Sequence, residues 1–577
     1  MSIVPLLHAT LVTDAGGGEG LLAGLQELGL LHVTGFDGVA AVEIDARVRA
    51  TMSYLASSPR QHHRVRRDPA FDAEALVTEV EALRARAQAL DEELLALRQR
   101  IGDVQPWGNF VLPELGDHPE LRFWFYRVPP AQLGKLAATG HVWAQVNRTP
   151  GEAFIVVLSA QEPEDIPFAR VHFGSRSLAQ LEARLAQLEV EIDDVAAERA
   201  SLTRWSDLFA AHVDRLLDTM ARDHAGGALR DRAEIVLLRG WVPQADGERL
   251  ARWAEANGHA LHLRVARSDE TPPTLLENAP MVAAGESLVT FFTMPAYRAW
   301  DPSWLVMGAF VVFFAMILGD AVYGTILLTG TALGWRAMGR KPGWHRLRLL
   351  VLLLALATTA WGVALGSYAG TPPPTRWLAA LQLAAVSDYD LLIRIALGIG
   401  LAHLALANLL AGMHLLPSLR ALARFGWVDI FAAVALWQFS PTGAQVLAGA
   451  GLLLVVLFTG SSSHLGPRLG QGLMALPRIV SVLGDTLSYL RLFALGIATA
   501  SLAAAFNQLA ASVASVPGAG VALGMLILLA GHTLNLLLGI AGGVIHGLRL
   551  NYIEFFGWAL LDEGRPFLHF RKREQRT

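Results

Sequence analysis

The chain has 577 residues, enough for several domains, with a net charge of −4 and no cysteine. The charge balance points away from a nucleic-acid partner, and the missing thiols exclude disulfides, thiolate catalysis and cysteine-ligated metals. At 53% hydrophobic residues and a mean hydropathy of +0.38, it is too apolar for a wholly soluble protein.

The apolar residues are unevenly spread. Ahead of Asp301, charges are frequent and no long apolar run occurs; beyond it the chain is mostly Leu, Ala, Val and Gly. Met1–Thr13 lacks a basic stretch followed by an apolar core, so no signal peptide is expected and the first half is expected in the cytoplasm. Ile3–Val12 and Leu31–Phe36 read as strands around a helix near Glu19–Gly29. Ile235–Trp241 and Leu261–Ala266 read as strands around a helix near Gly247–Asn257. Two βαβ units closing on one another suit a ferredoxin-like lobe.

Two heptad runs lie between these units. Leu76, Val80, Leu83, Ala87, Leu90, Leu94, Leu97 and Ile101 recur in steps of four and three, as do Leu178, Leu181, Leu185, Leu188, Ile192 and Val195 until Arg199. Each makes a helix with one apolar stripe. Between them, Leu121–Val128 and Phe154–Ala160 read as strands of a small α/β lobe. The simplest geometry is an antiparallel hairpin with that lobe at its tip, giving a dumbbell; the alternative is an amphipathic hairpin packed inside one globule.

Eight apolar segments occupy the second half: Ser303–Leu318, Ala321–Trp335, Leu349–Ala369, Leu391–Met413, Trp427–Phe439, Gln445–Gly460, Arg478–Val513 and Gly518–Trp558. The fifth is short for a bilayer. Starting inside, the inner connections hold Arg336, Arg340, Lys341, Arg346 and Arg348, then Arg420 and Arg424, then Arg468 with Arg478 at its edge. The tail adds Arg565, Arg571, Lys572, Arg573 and Arg576, whereas the outer connections hold Arg376, with Arg394 near the outer end of the fourth span. This asymmetry supports eight spans with both termini in the cytoplasm. Six spans would place the tail equally well, so the individual loops decide. The 36 residues from 478 to 513 would make about 54 Å of helix, against a hydrocarbon core of about 30 Å. The last two helices must therefore tilt, bend or project, and a tilted pair could follow the wall of another membrane assembly.

Arg491 lies inside the seventh segment, where an arginine costs roughly 2.5–3.5 kcal/mol on insertion scales and needs a partner or water. At about 100° per residue, Gly484, Ala494 and Ala498 share its side, leaving room for another helix. Arg549 lies in the eighth segment, with His546, Gly542 and Asn535 on its face. No carboxylate in either helix is an evident permanent partner for both arginines, because Asp485 is turned by roughly 120° from Arg491. A transient carboxylate from another subunit would solve this. Static pairing of Arg491 with Asp485 or a carbonyl, and snorkelling of Arg549, stand as the alternative. His403, His414 and His532 read as hydrogen-bonding packing residues, and Asp320 as the shaper of a turn. No Walker A loop occurs, so ATP hydrolysis is not expected of this chain.

Ser488–Gly496 and Gly531–Phe567 resemble the membrane stator subunit of V-type and A-type rotary ATPases, subunit a or subunit I, in its prokaryotic form. Gly240-Trp241-Val242-Pro243, Pro272-Pro273-Thr274 and Gly319–Gly324 match in family order. The resemblance implies a soluble α+β dumbbell with an antiparallel coiled-coil hairpin, followed by an all-α domain of eight transmembrane helices, the last two long and tilted. The boundaries are a cytoplasmic domain over 1–300, made of a proximal lobe (1–70 and 223–270), a shaft (72–101 and 175–222), a distal lobe (103–174) and a connector (271–300). The membrane domain spans 301–560 and a cytoplasmic tail 561–577. In that family the first buried arginine faces a carboxylate on each rotor subunit in turn, a role that falls to Arg491; the supporting arginine is Arg549. Ser488, Asp485, Asn535, His546 and Glu554 are expected half-channel or supporting residues. The implied partners are the proteolipid rotor ring, the peripheral stalk, the rest of the ATPase and membrane lipid. No cofactor is implied, and the location is a bacterial or archaeal cell membrane. Thr499 and Gly539 depart from the histidine and glutamate of eukaryotic relatives, and Pro477 from another glutamate. A membrane tether, or a self-contained carrier with a regulatory hairpin, is the competing reading.

Single cysteines at Ala379 and Gln575 should label from opposite faces of the membrane. Labelling of both from one face would refute the eight-span count.

Overall fold

The computed structural model describes residues 2–35, 44–109, 120–137, 139–164, 166–168, 170–171, 176–232, 235–460, 464–560 and 562–573. Phe36 of the second expected strand, parts of the 103–174 lobe, and Gln575 and Arg576 of the tail lie outside them. The chain divides into two compact units, residues 1–18, 30–34 and 229–569 in the first, and 19–29, 35–228 and 570–577 in the second.

In the second unit, α1 (Ala73–Val104) starts at Asp72, whose carboxylate accepts from the backbone N–H of Glu74 and Ala75. Helix α2 (Leu178–Leu202) starts at a capping box of Ser177 and Gln180. Ala179 N–H donates to Asn109, just past the end of α1, while His62 N–H donates to Thr203, just past the end of α2. The two helices therefore run antiparallel. Leu76, Val80, Leu83, Leu90 and Leu97 bury against Leu181, Leu188 and Val195, with Ala87, Leu94, Ile101, Leu178, Leu185 and Ile192 partly buried alongside. Ion pairs Arg184–Glu93, Arg86–Glu198 and Arg98–Glu189 flank this seam. Being exposed, such pairs contribute little; the apolar stripe supplies the stability.

The lobe between α1 and α2 holds a four-stranded antiparallel sheet ordered Val142–Arg148, Ala153–Ser159, Arg122–Val128 and Arg170–Val171. The inner two strands are the two expected ones. The edge strand Val142–Arg148 leaves no clear pattern in the sequence, because its residues are largely exposed and do not alternate. Hydrogen bonds to its neighbour hold it, with Trp143 packed against the core of the lobe.

The first unit contains an antiparallel sheet and the apolar half. The strands run in the spatial order His32–Val33, Ile235–Pro243, Leu6–Asp14 and Ala260–Val265, with Arg230–Arg232 paired to Ile235–Pro243. Numbered along the chain, the four principal strands lie 2-3-1-4, the order of a ferredoxin-like sheet. Leu6, Ala9 and Leu11 are buried on the central strand. Gly240 is required where it stands, since a Cβ there would meet the carbonyl oxygen of His32 at 2.6 Å.

The apolar half is helical. Its helices include α3 (Ala283–Phe292), α4 (Ser303–Leu318), α5 (Ala321–Arg340), α6 (Pro342–Leu365), α7 (Tyr389–His414), α8 (Arg420–Leu436), α9 (Pro441–Phe458), α10 (Arg478–Ser488), α11 (Leu490–Ala514), α12 (Gly520–Arg549) and α13 (Phe556–Ala559), with short helices at Arg376–Ala380 and Leu465–Leu473 besides. Among the described residues, five helical runs are long and apolar enough to cross a membrane: Gly343–Leu365, Tyr389–His414, Pro441–Phe458, Gly466–Ala514 and Gly520–Ala559. Ser303–Leu318 is a shorter apolar helix. The expected single helix over 478–513 is interrupted at Tyr489, and that over 518–558 passes through a π-helical turn at Leu550–Phe555.

Past α13 the chain turns back along the connector. Gly564 N–H donates to Met294 O, Thr274 N–H to Arg565 O, and Phe567 N–H to Thr274 O. Phe567 packs with Leu6 and Trp241 of the sheet. The segment after the last apolar helix is thereby tied to the sheet and to the connector that leads into α4. This accounts physically for the Pro272-Pro273-Thr274 and Gly564–Phe567 stretches.

Cysteines replacing Glu93 and Arg184 should form a disulfide within one chain on mild oxidation. Recovery of disulfide-linked dimers alone would contradict the antiparallel packing of α1 on α2.

Candidate functional site

The break between α10 and α11 is held by Tyr489. Its ring is fully buried, and its hydroxyl lies 2.8 Å from His403 Nδ1. A Cβ on Gly400 would meet that ring at 2.6 Å, so α7 approaches the break through a glycine. Tyr489 N–H donates to Thr486 O, and Leu492 N–H to Tyr489 O, three residues apart in each case. This tighter turn resets the helix just ahead of Arg491.

A second irregularity lies opposite. In the π turn, Phe556 N–H reaches back to Asn551 O, five residues earlier. The wider turn re-aims the side chains beyond it. Glu554, on this turn, points inward and is 3% exposed, whereas the Arg491 side chain is 22% exposed. Their closest approach, Nη1 to Oε1, is 4.0 Å: an ion pair without a direct hydrogen bond. Ser488 lies against the Glu554 carboxyl, and its Oγ is 3.1 Å from Gly484 O. Arg491 Nη1, Glu554 Oε2, Asn551 Oδ1 and His546 Nδ1 are buried and have no hydrogen-bond partner among the described residues. His546 lies within electrostatic reach of both Arg491 and Arg549.

The expectations from sequence divide here. Arg491, Glu554, Ser488 and His546 come together. Arg549 is exposed on the outside of α12. Gly484, Ala494 and Ala498 are all exposed, so the small-residue side of Arg491 is open. The sequence offers no carboxylate in either helix as a permanent partner for both arginines, and it turns Asp485 roughly 120° from Arg491. A carboxylate partner for Arg491 does exist in the chain: Glu554 is brought to it by the π turn, which regular helical arithmetic does not include. Asp485 does not pair with Arg491, because its Oδ2 accepts from Trp558 Nε1 at 2.7 Å. Asp485 instead anchors α13, together with Arg424 and Arg478. Arg424 Nη1 donates to Trp558 O, Arg478 Nη2 donates to Gly557 O, and the Arg478 guanidinium lies 4.1 Å from the Trp558 ring centroid.

Asn535 belongs to a different group. Its Nδ2 donates to Tyr323 Oη and to Thr499 O, while Tyr323 Oη and Asn507 Oδ1 contact the two ring nitrogens of His532. This network joins α5, α11 and α12. Asp320 caps α5 through the N–H groups of Val322 and Tyr323 and also accepts from Ser367 Oγ and Ala369 N–H. His532 and His403 thus hydrogen-bond within the packing as expected. Asn507, Tyr489 and Trp558 also shape the site, although residue order did not single them out; Tyr323 stood out only as a departure from the family's turn. Their only sequence signal is a polar or aromatic group within an apolar helix. Gly539, one of the departures, faces Leu318, where a Cβ would approach to 2.5 Å.

The fold and this cluster define a multi-helical protein of membrane type with an α+β part and a partly buried arginine open on one side. No family model matches the chain. It is 27% identical over 597 residues to V-type ATP synthase subunit I of Chlamydia pneumoniae, covering 88% of this chain and 87% of that one. It is 26% identical over 454 residues to A-type ATP synthase subunit I of Methanocaldococcus jannaschii, covering 70% and 65%. V-type ATP synthase subunit I 1 of Treponema pallidum matches at 25% over 638 residues, covering 99% and 100%. The crystal structure of the cytoplasmic N-terminal domain of subunit I, homolog of subunit a, of V-ATPase covers 44% of this chain and 100% of its own, at 18% identity and a TM-score of 0.24. The chain is a relative of the subunit I proteins of V-type and A-type ATP synthases.

Glu554→Gln and Arg491→Gln, singly and together, should show a coupling of about 1–2 kcal/mol in unfolding experiments on the detergent-solubilised chain. Strict additivity would show that the pair is not energetically joined.

Proposed function

We propose that this chain is the ion-translocating stator subunit of a V/A-type rotary ATPase, a non-catalytic subunit that couples H⁺ or Na⁺ movement to ATP synthesis or hydrolysis on other subunits. The observation that carries this reading is Arg491: a guanidinium in an apolar helical bundle, loosely paired to Glu554 and bordered by exposed small residues. A carboxylate on a rotor ring must be neutral to pass through lipid. Beside Arg491 its charged form is favoured, so it releases its ion into one aqueous half-channel and reloads from the other. The loose contact with Glu554 suits this exchange. A fully hydrogen-bonded pair would hold the guanidinium away from an arriving carboxylate, whereas an isolated guanidinium would carry the full cost of burial.

The supporting features are consistent with this role. A cavity of about 410 Å³ lined by Ser367, Thr371, Ser387, Tyr389 and Ser501 opens beside α11 and suits the outer half-channel. Glu554, Ser488 and His546 suit the inner one, and Arg549 assists on the open face. Eight spans with both termini cytoplasmic, in a bacterial or archaeal cell membrane, fit the loop charges. The α1–α2 pair would serve as a coiled-coil shaft, its distal lobe meeting a peripheral stalk, while α11 and α12 face the proteolipid ring.

Arg491→Ala should assemble into a complete complex and lose coupled ion transport in reconstituted vesicles. Arg491→Lys should be severely impaired, because an ammonium is compact, strongly hydrated and more readily deprotonated when buried. Arg549→Lys should be milder. Normal pumping by assembled Arg491→Ala would leave a tether or a self-contained carrier as the function.

A further inference from the structure

A cavity of about 620 Å³ lies between α7, α8 and α10. Its walls are mostly apolar, with Leu401, Ile430 and Val482 among them, and one cation, Arg394, lines it. Arg394 sits in the second turn of α7 and is exposed. It has no hydrogen-bond or ion-pair partner among the described residues. Helices α7 and α8 are antiparallel neighbours, with Gly412 of α7 set against Phe425 of α8 at their joined ends. The start of α7 and the end of α8 therefore share the other end, where Trp437 and Gln438 line the same cavity as Arg394.

The chemistry of this cavity is that of an amphiphile site. An unpaired arginine on a membrane helix is costly at mid-bilayer and less so near the interface, and pairing with an anion offsets the cost. Tryptophan favours the headgroup level, which marks the Arg394–Trp437 end as the interfacial one. A planar guanidinium binds a phosphate through two parallel hydrogen bonds. From that end an apolar floor leads inward past Gly398, where a Cβ would meet nothing within 4 Å. We propose that the cavity holds one phospholipid of the surrounding bilayer. Its phosphate sits on Arg394, and one acyl chain lies along Leu401, Ile430 and Val482. This rests on α7, α8 and α10 lying within the membrane, as proposed above. The acyl chain would also lie against Thr486 and Leu487, which line the cavity about one turn before Arg491. The lipid thereby backs the helix that leads into the arginine.

The test uses the full chain in its assembled complex, reconstituted in phosphatidylglycerol vesicles in which part of the lipid carries a photoreactive acyl chain. The complex is extracted, washed in lipid-free detergent and then irradiated, and the labelled peptides are mapped. The unchanged chain should retain label on the segments containing Leu401, Ile430 and Val482. Arg394→Gln should lower that label by at least about tenfold, as expected for loss of a charge-assisted contact. Gly398→Phe, which fills the open space one turn beyond Arg394 while keeping the cation, should also remove it. Arg491→Ala should keep the label while losing transport, which separates this site from the stator reading. Label that is equal in all variants, that never survives the wash, or that is replaced by a cross-link to another subunit would overturn the proposal.

Discussion

A guanidinium inside an apolar bundle sets the terms for the rest of this molecule. It stays charged under all ordinary conditions, so it must be given an anion, water, or an exit to the surface. Here Arg491 has an anion and an exit. Glu554 stands 4.0 Å away, and the side chain is 22% exposed on a face lined by small residues. The contact is close enough to offset part of the burial cost, although it makes no direct hydrogen bond.

Holding two such groups at that separation takes two deviations from regular helix, each anchored by aromatic residues. Tyr489, wedged against Gly400 and hydrogen-bonded to His403, breaks the helix before Arg491. The π turn after Arg549 carries Glu554 inward, and Trp558 fixes its far end through Asp485, Arg424 and Arg478. Beyond Trp558 the chain is strapped to the connector and sheet through Thr274 and Phe567. The sheet is thereby joined to the segment that follows Glu554 by a short covalent and hydrogen-bonded route. The Tyr323–His532–Asn535 network separately ties α11 and α12 to α5.

Much of this was legible in residue order because it depends on periodicity and composition. The heptad stripes of α1 and α2, the strand pairs of the ferredoxin-like sheet and the apolar runs of the second half all arise from one-dimensional patterns. Burial of Leu83, Leu90, Leu188 and Val195 on one seam is the direct outcome of their spacing. The edge strand Val142–Arg148 was not legible, since an edge is stabilised by a neighbour's backbone and leaves little trace in its own side chains.

The two arginines within apolar segments were likewise legible from the sequence alone. A charge in an apolar segment is conspicuous whatever the fold, because the cost of burying it depends on the solvent rather than on neighbours. Their partners were not. Asp485 is six residues from Arg491 and Glu554 is sixty-three, yet the nearer carboxylate binds Trp558 and the distant one meets the arginine. A helical wheel assigns faces at a constant angle, whereas one tight turn at Tyr489 and one wide turn at Leu550–Phe555 shift the faces beyond them. Those turns persist only because packed aromatic rings and glycine contacts from other helices hold them, and such contacts exist only in the tertiary structure.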